Sequence, residues 1–263
     1  MNTIQSIILS IVEGITEFLP ISSTGHMILA SNLMGITESE FHKTFEIFIQ
    51  LGAIFAIVML YSRKFLFNFK IYWKLLYAFI PTAIVGFLMY KTIKTYLFNP
   101  YVVSCALVIG GIVLILFDRL KLKTDKEDVP LADIPAKNAF WIGCIQCISM
   151  IPGVSRAAAT IIGGMVNGLT KRKAAEFSFL LAIPTMFAAS ALDLYKTNIH
   201  FTSYEIRLLA MGFVIAFLTA WVAVVIFLKI LDRYGFKHFG IYRIVVGVFF
   251  LIYALLVHLQ LPQ

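Results

Sequence analysis

Residues 13–26 read EGITEFLPISSTGH, a run of acidic, hydroxylic and imidazole side chains in a chain that is otherwise almost entirely apolar. The segments on either side, residues 1–12 and 27–34, contain no charged side chain. A charged group at bilayer depth costs about 2.5–3.5 kcal/mol on the translocon scale, so it usually faces a protected interior. The stretch therefore indicates a functional site inside a membrane protein rather than a solvated loop.

The same stretch predicts two short helices separated by a break. Glu13 and Glu17 are four residues apart and would share one face of the first helix. Pro20 would end that helix. Three hydroxyl side chains can cap the next helix, namely Ser22, Ser23 and Thr24. His26 would then lie near the N-terminus of the second helix.

Composition indicates the class of protein. The 263 residues are 60% hydrophobic and 14% charged, with a mean hydropathy of +0.89, which is typical of an integral membrane protein. The formal charge of +8 is spread over short Lys and Arg clusters between apolar runs, as in the cytoplasmic loops of membrane proteins. We therefore exclude a nucleic-acid partner and expect membrane lipids to surround the chain.

Apolar runs of suitable length predict six transmembrane helices. They lie at about 47–61, 75–90, 101–117, 177–192, 208–228 and 244–259. Two further segments, residues 1–34 and 139–169, are apolar, but each is broken near its middle by a proline. We interpret these two segments as re-entrant helical hairpins. The predicted fold is all-α, a polytopic membrane protein with six transmembrane helices and two re-entrant hairpins.

The second break, residues 151–160, reads IPGVSRAAAT and resembles the first. Pro20 and Pro152 are 132 residues apart. Ser23 and Ser155 have the same separation of 132 residues. We therefore predict two similar repeats, each with one hairpin and three spans. An odd number of crossings per repeat would make the second repeat inverted relative to the first.

The predicted organisation is a single membrane domain, residues 1–263, with repeat one at about 1–120 and repeat two at about 136–263. With the N-terminus outside, 16 Lys and Arg residues, Arg243 among them, fall in cytoplasmic loops and five fall outside. This bias supports the topology. The two hairpins would enter from opposite sides, so that their tips can meet near the middle of the membrane.

Both breaks would place a helix N-terminus at mid-membrane, where free N–H groups and the positive end of the helix dipole suit phosphate or carboxylate. Arg156 adds a planar, always-charged group that fits phosphate oxygens, or it is a buried counter-ion of Glu13 or Glu17. The two acids can bind a divalent cation that bridges phosphates, or they make hydrogen bonds within the helix. His26 can shuttle a proton.

Hydroxyl groups in the two breaks are less specific signals, because Ser and Thr in membrane helices commonly bond to the backbone or to a neighbouring helix. The candidates are Ser22, Ser23, Thr24, Ser155 and Thr160. One of them can act as a nucleophile if His26 reaches it.

Taken together, residues 13–26 and 152–160 resemble the paired signature of the bacterial undecaprenyl-diphosphatases, also called bacitracin-resistance proteins. The similarity extends over nearly the whole chain, including residues 45–52, 144–147 and 176–182. It implies hydrolysis of undecaprenyl diphosphate to the monophosphate, a step that regenerates the lipid carrier of peptidoglycan synthesis and confers bacitracin resistance. It also implies Mg²⁺ or Ca²⁺ as cofactor and a bacterial inner-membrane site that faces the outer, periplasmic side.

The resemblance also implies roles for individual residues. The acidic pair, as metal ligands, corresponds to Glu13 and Glu17. The catalytic set is Glu17, Ser23, His26 and Arg156. Beside these roles, we predict from the two breaks a substrate-binding set of Ser22, Thr24, Gly153, Ser155, Arg156 and Thr160. One position departs from the pattern, because Ala157 stands where the family usually has serine after the arginine.

The sequence leaves several alternatives open. Ser23 or a water molecule would attack the terminal phosphorus, and either His26 or Glu17 would take the proton. Inverted repeats with broken helices are also the plan of secondary transporters, so a transporter or flippase for an anionic lipid or a small anion is the alternative function. The expected partners are the polyprenyl diphosphate substrate and membrane lipids, and they can include a second copy of the chain in a homodimer.

Overall fold

The computed structural model describes residues 1–37, 39–62, 69–97, 99–120, 130–195 and 201–260. Within these ranges the regular structure is entirely helical, which confirms the predicted all-α class. The α-helices are α1 (Thr3–Thr16), α2 (Ser23–Leu33), α3 (Glu40–Leu60), α4 (Phe69–Tyr96), α5 (Pro100–Arg119), α6 (Ala136–Gln146), α7 (Arg156–Val166), α8 (Lys171–Tyr195), α9 (Ser203–Tyr234) and α10 (Lys237–Gln260). Two short 3₁₀ turns, Leu131–Asp133 and Cys147–Met150, flank α6.

Six of these helices are long and apolar enough to cross a membrane, namely α3, α4, α5, α8, α9 and α10. Each overlaps one of the six predicted apolar runs, so the chain is a multi-pass membrane protein. The loop cations Arg63, Lys64, Lys121, Lys123, Lys126 and Lys196 lie outside the described residues.

The helix pairs α1–α2 and α6–α7 form the two predicted hairpins, and each is broken before its second helix. Helices α2 and α7 both have 11 residues, and their N-caps are Ser22 and Ser155. These two serines have φ angles of 71° and 75°, and they are the non-glycine residues with positive φ in the described ranges. The structural counterpart of Ser155 is therefore Ser22, which corrects the pairing of Ser23 with Ser155 by one position.

The two halves pack across each other rather than side by side. Helix α1 packs on α9, and α6 packs on α4, so the first helix of each hairpin contacts a span from the other half. Both crossings depend on a glycine: a Cβ on Gly14 would lie 2.6 Å from the Ala216 carbonyl oxygen, and one on Gly143 would lie 2.0 Å from that of Ala78. The crossings of α3 with α8 and of α5 with α10 also join the halves. The repeat boundaries at 1–120 and 136–263 stay a prediction.

Among the counted Lys and Arg residues that the structure describes, Arg243 is the one whose side chain is fully buried. It is the seventh residue of α10, which begins at Lys237. Its assignment to a cytoplasmic loop was wrong, because backbone carbonyl groups solvate its guanidinium inside the protein. The remaining Lys and Arg bias of 15 against five still supports the topology.

Candidate active site

An ion pair joins the two hairpins. The Nη2 atom of Arg156 lies 3.0 Å from Oε1 of Glu17, and the two side chains are only 12% and 5% exposed. Glu17 is the C-cap of α1, and Arg156 is the first residue of α7, so the end of one hairpin helix meets the start of another from the opposite half. The pairing confirms that the two breaks converge, although the residues are 139 positions apart in sequence.

Ser23 completes the contacts of the same carboxylate. Its Oγ atom donates a hydrogen bond of 2.5 Å to Oε2 of Glu17. Ser23 is the first residue of α2, just as Arg156 is the first residue of α7. The Glu17 carboxylate thus accepts from the side chains of the first residues of both helices, and one of these donors is the hydroxyl that would serve as nucleophile.

The Arg156 guanidinium is held on several sides. Nη1 donates to the Ser178 carbonyl oxygen at 3.1 Å, Nη2 also contacts Sδ of Met186 at 3.3 Å, and the group lies 5.4 Å from the centre of the Phe18 ring. Its Nε atom is buried without a hydrogen-bond partner in the described part of the chain. A buried donor of this kind is costly unless a ligand occupies it, and a phosphate oxygen is a suitable acceptor.

Glu13 lies one helical turn before Glu17 and is 4% exposed. Its carboxylate interacts with those of Glu17 and Glu46 and with the Arg156 guanidinium. Among the described residues, no group of three or more His, Cys, Asp or Glu side chains is arranged as a complete metal site. Two adjacent carboxylates nevertheless fit Mg²⁺, which is commonly bound by one or two carboxylates together with phosphate oxygens of the substrate.

His26 is positioned by other contacts than those predicted. Its Nδ1 atom lies 2.8 Å from the Ser22 carbonyl oxygen, and its Nε2 atom lies 2.8 Å from the hydroxyl of Tyr242 in α10. Both ring nitrogens are thus engaged, and neither partner is Ser23 or Glu17. The geometry therefore places Glu17, rather than His26, in contact with the candidate nucleophile.

The two N-cap serines stabilise the ends of their helices. Oγ of Ser22 accepts from the backbone N–H of Gly25 at 3.4 Å, and Oγ of Ser155 accepts from that of Ala158 at 3.2 Å. Thr24 is exposed and makes no side-chain hydrogen bond to the residues that the structure describes. It is thus open to a ligand, whereas the hydroxyls of Ser22 and Ser155 are engaged in capping.

Thr160 and Gly153 lie at the second break and stabilise its backbone conformation. Thr160 is fully buried, and its hydroxyl donates to the Arg156 carbonyl oxygen at 2.8 Å and lies 2.5 Å from Oγ of Ser178. Gly153 has a φ of +94°, and a Cβ there would lie 2.5 Å from the Val103 carbonyl oxygen, so only glycine fits. Ala157, the position that departs from the motif, is fully buried in the core.

Sequence reasoning missed three residues that contact this cluster. They are Ser178 in α8, which holds Arg156, Tyr242 in α10, which holds His26, and Arg243, which contacts both breaks. Ser178 and Tyr242 carry ordinary membrane-helix side chains. Arg243 offered a signal, since a cation directly before an apolar run can belong to the helix rather than to the loop.

The fold and the site define a multi-pass α-helical membrane protein in which two helical breaks bring a carboxylate, a hydroxyl and a guanidinium together. The profile of the family described as Bacitracin resistance protein BacA matches residues 6–249, and the chain belongs to this family.

Curated relatives are similar over nearly their full lengths. The chain is 50% identical over 255 residues to the undecaprenyl-diphosphatase of Persephonella marina, covering 97% of this chain and 100% of that protein. It is 49% identical to the undecaprenyl-diphosphatase of Aquifex aeolicus, covering 97% of this chain and 98% of that protein. Identity to the undecaprenyl-diphosphatase of Flavobacterium psychrophilum is 46%, covering 98% of each chain.

Proposed function

We propose that this protein hydrolyses undecaprenyl diphosphate to undecaprenyl phosphate and inorganic phosphate. The observation that carries the proposal is the contact of Glu17 with both Ser23 and Arg156 where the two breaks meet. Family membership and the names of the relatives agree with it. The reaction recycles the lipid carrier of peptidoglycan synthesis and opposes bacitracin. We place it in the bacterial inner membrane, with the site facing the periplasm.

Binding of the diphosphate rests on groups that favour negative charge. The Arg156 Nε donor and the N-termini of α2 and α7 would contact phosphate oxygens, and Thr24 is accessible for a further contact. The apolar helices around the hairpins suit the polyprenyl chain. Phosphate that engages Arg156 would weaken its pairing with Glu17, which leaves that carboxylate free to act on Ser23.

The chemical step follows from the Ser23–Glu17 contact. Oγ of Ser23 attacks the terminal phosphorus while its proton passes to Oε2 of Glu17. The bond between that phosphorus and the bridging oxygen breaks, and undecaprenyl phosphate leaves with the electron pair. Water then hydrolyses the phosphoserine and releases inorganic phosphate. In the alternative route, Glu17 takes its proton from a water molecule that attacks directly.

A divalent cation fits the acidic side of this site. Glu13 and Glu17 would hold Mg²⁺ or Ca²⁺ with their carboxylate oxygens, and the ion would neutralise charge on the diphosphate when bound. The carboxylates also offset the charge of Arg156 in the described structure. Dependence on added Mg²⁺ or Ca²⁺, and direct binding of Mn²⁺ detected by electron paramagnetic resonance, test this part of the proposal.

The experiment that tests the function measures phosphate release from undecaprenyl diphosphate by the purified protein in detergent. We expect release by the wild type and none by Glu17→Ala or Arg156→Ala. A transporter or flippase, the alternative function, needs sealed vesicles and would release no phosphate in detergent. Trapping of phosphoserine favours Ser23 as nucleophile, whereas direct incorporation of labelled water by a Ser23→Ala enzyme contradicts it. The predicted homodimer stays a prediction, which the mass of the purified protein tests.

A further inference from the structure

Arg243 makes the largest set of contacts that the proposed reaction leaves unexplained. Its guanidinium has five N–H groups, and five backbone carbonyl oxygens lie within hydrogen-bond distance at 2.8–3.3 Å. The acceptors are the carbonyls of Pro20, Ala106, Leu107, Gly153 and Val154. One side chain of α10 therefore joins the first break, the second break and α5.

The burial of this cation is unusual because it has no acidic counterpart. Its side chain is fully buried, and within the described ranges no carboxylate lies within 4.0 Å of it. Carbonyl groups in a helical break lack the N–H partners that a helix supplies, and inside a membrane protein each unpaired one is costly. The guanidinium satisfies such carbonyls in both breaks at once, because its donors diverge in one plane.

Arg243 and Arg156 differ in the number of guanidinium N–H donors that remain unpaired. Arg156 retains an unpaired Nε that a phosphate can occupy, whereas Arg243 has no donor left for substrate. Arg243 would therefore act through the groups that it holds. Pro20 lies three residues before Ser23, and Val154 lies two residues before Arg156, so the two anchored carbonyls fix the starts of α2 and α7.

The neighbouring helix is shaped to admit this guanidinium. A Cβ on Gly110 of α5 would lie 2.1 Å from Nη2 of Arg243, so any larger residue there displaces the group. Gly247 of α10 lies in the same interface, and a Cβ there would approach Leu107 and Val108 at 2.9 Å without meeting the guanidinium. Alanine at these two glycines therefore separates loss of the Arg243 contacts from simple crowding of α5 against α10.

We propose that Arg243 is a positioning residue for phosphate release: it ties the two breaks together so that Ser23 and Arg156 converge on Glu17. This inference rests on the proposed function. An error of about 1 Å in the placement of reacting groups can lower a rate about a hundredfold. Arg243→Met removes the tie, and Arg243→Lys retains the charge but offers three donors in place of five to these carbonyls.

The first test compares kcat for Gly110→Ala and Gly247→Ala in the full-length protein, with thermal unfolding in detergent as a measure of folding. We expect Gly110→Ala to lower kcat by at least about tenfold more than Gly247→Ala does. Equal losses in the two variants overturn the inference. Absence of phosphate release by the wild type would instead contradict the proposed function. The glycine pair also decides the question if Arg243→Met fails to fold.

A double-mutant cycle distinguishes positioning of Arg156 from a purely structural role of Arg243. Arg243→Lys is combined with Arg156→Lys, and the losses in kcat/KM are compared. If Arg243 acts by placing Arg156, Arg156→Lys lowers kcat/KM much less in the Arg243→Lys background than in the wild type. We expect the loss in the double variant to be about tenfold smaller than the product of the two single losses. Fully multiplicative losses mean that Arg243 acts independently of the site, which overturns the inference.

Discussion

The two hairpins have a similar backbone conformation, but they carry different functional side chains at equivalent positions. Each has an 11-residue second helix that begins after a serine with positive φ. The first residue of that helix is Ser23 in one hairpin and Arg156 in the other. The residue three positions after the crossing glycine is Glu17 in the first hairpin and Gln146 in the second. A repeated scaffold thus carries an acidic half and a basic half.

Gln146, the counterpart of Glu17 in the second hairpin, makes a hydrogen bond within the protein instead of carrying a charge. It is fully buried, and its Nε2 donates to the Thr82 hydroxyl at 2.6 Å. Glu17 instead makes its contacts with Ser23 and with Arg156 of the other half. Binding a diphosphate needs opposite charges in one place, and two different hairpins that converge supply them. The comparison therefore locates the chemistry at the junction of the halves rather than in either one.

The largest expected effect comes from making the first hairpin resemble the second. Glu17→Gln keeps the shape of the side chain but removes the base and the negative charge that pairs with Arg156. We expect phosphate release to fall by about a thousandfold, the size of effect associated with loss of a general base. Steady-state phosphate release in detergent measures it.

The matched change in the second hairpin is Gln146→Met, which removes the hydrogen bond to Thr82. We expect this variant to retain activity and to lose about 1 kcal/mol of unfolding free energy. If it loses as much activity as Glu17→Gln, the contrast between the hairpins is wrong.

The next effect concerns the basic half. Arg156→Lys keeps the charge but loses the planar group and the unpaired Nε donor. We expect kcat/KM to fall about a hundredfold, as for the loss of one preorganised donor to a developing charge. Arg233→Lys is the control, because Arg233 lies in the last turn of α9, where its guanidinium is 5.1 Å from the Tyr234 ring centre. A normal kcat/KM in Arg156→Lys would show that charge alone suffices.

A smaller effect tests the feature that the hairpins share. Ser22→Ala and Ser155→Ala each remove a helix cap, and we expect each to lower the unfolding free energy by about 1 kcal/mol. Glycine at either position should lower it by only about a few tenths of a kcal/mol, because glycine adopts a positive φ without strain. Thermal unfolding in detergent measures all four variants. If the changes in unfolding free energy differ between the two positions, the two serines share a geometry but do not stabilise their helices equally.

The smallest expected effect lies at the edge of the first hairpin. Tyr242→Phe removes the hydroxyl that contacts Nε2 of His26, a neutral hydrogen bond worth about 1 kcal/mol. We expect kcat/KM to fall about fivefold, in line with that free energy. Tyr253→Phe on the same helix is the control, since Tyr253 makes no side-chain hydrogen bond in the described residues. A much larger loss of kcat/KM in Tyr242→Phe would indicate that His26 takes a direct part in catalysis.

The sequence predicted the helical class, the six spans and the two breaks because each depends on neighbouring residues. Apolar runs define spans, and a proline followed by hydroxyl residues ends one helix and starts another. The same local logic placed Glu13, Glu17 and Ser23 together in the first break. It failed for Arg243, because the solvation of a buried cation by carbonyls from three segments cannot be inferred from the residues beside it.

What the sequence determined by itself, therefore, is which side chains stand at the two breaks. Only the tertiary structure decided which of them touch: Glu17 pairs with Arg156, Glu17 rather than His26 contacts Ser23, and Arg243 holds both breaks. These contacts join residues as many as 223 positions apart. Their distances are set by close helix crossings at glycines such as Gly14, and the partner in each crossing comes from the opposite half of the chain.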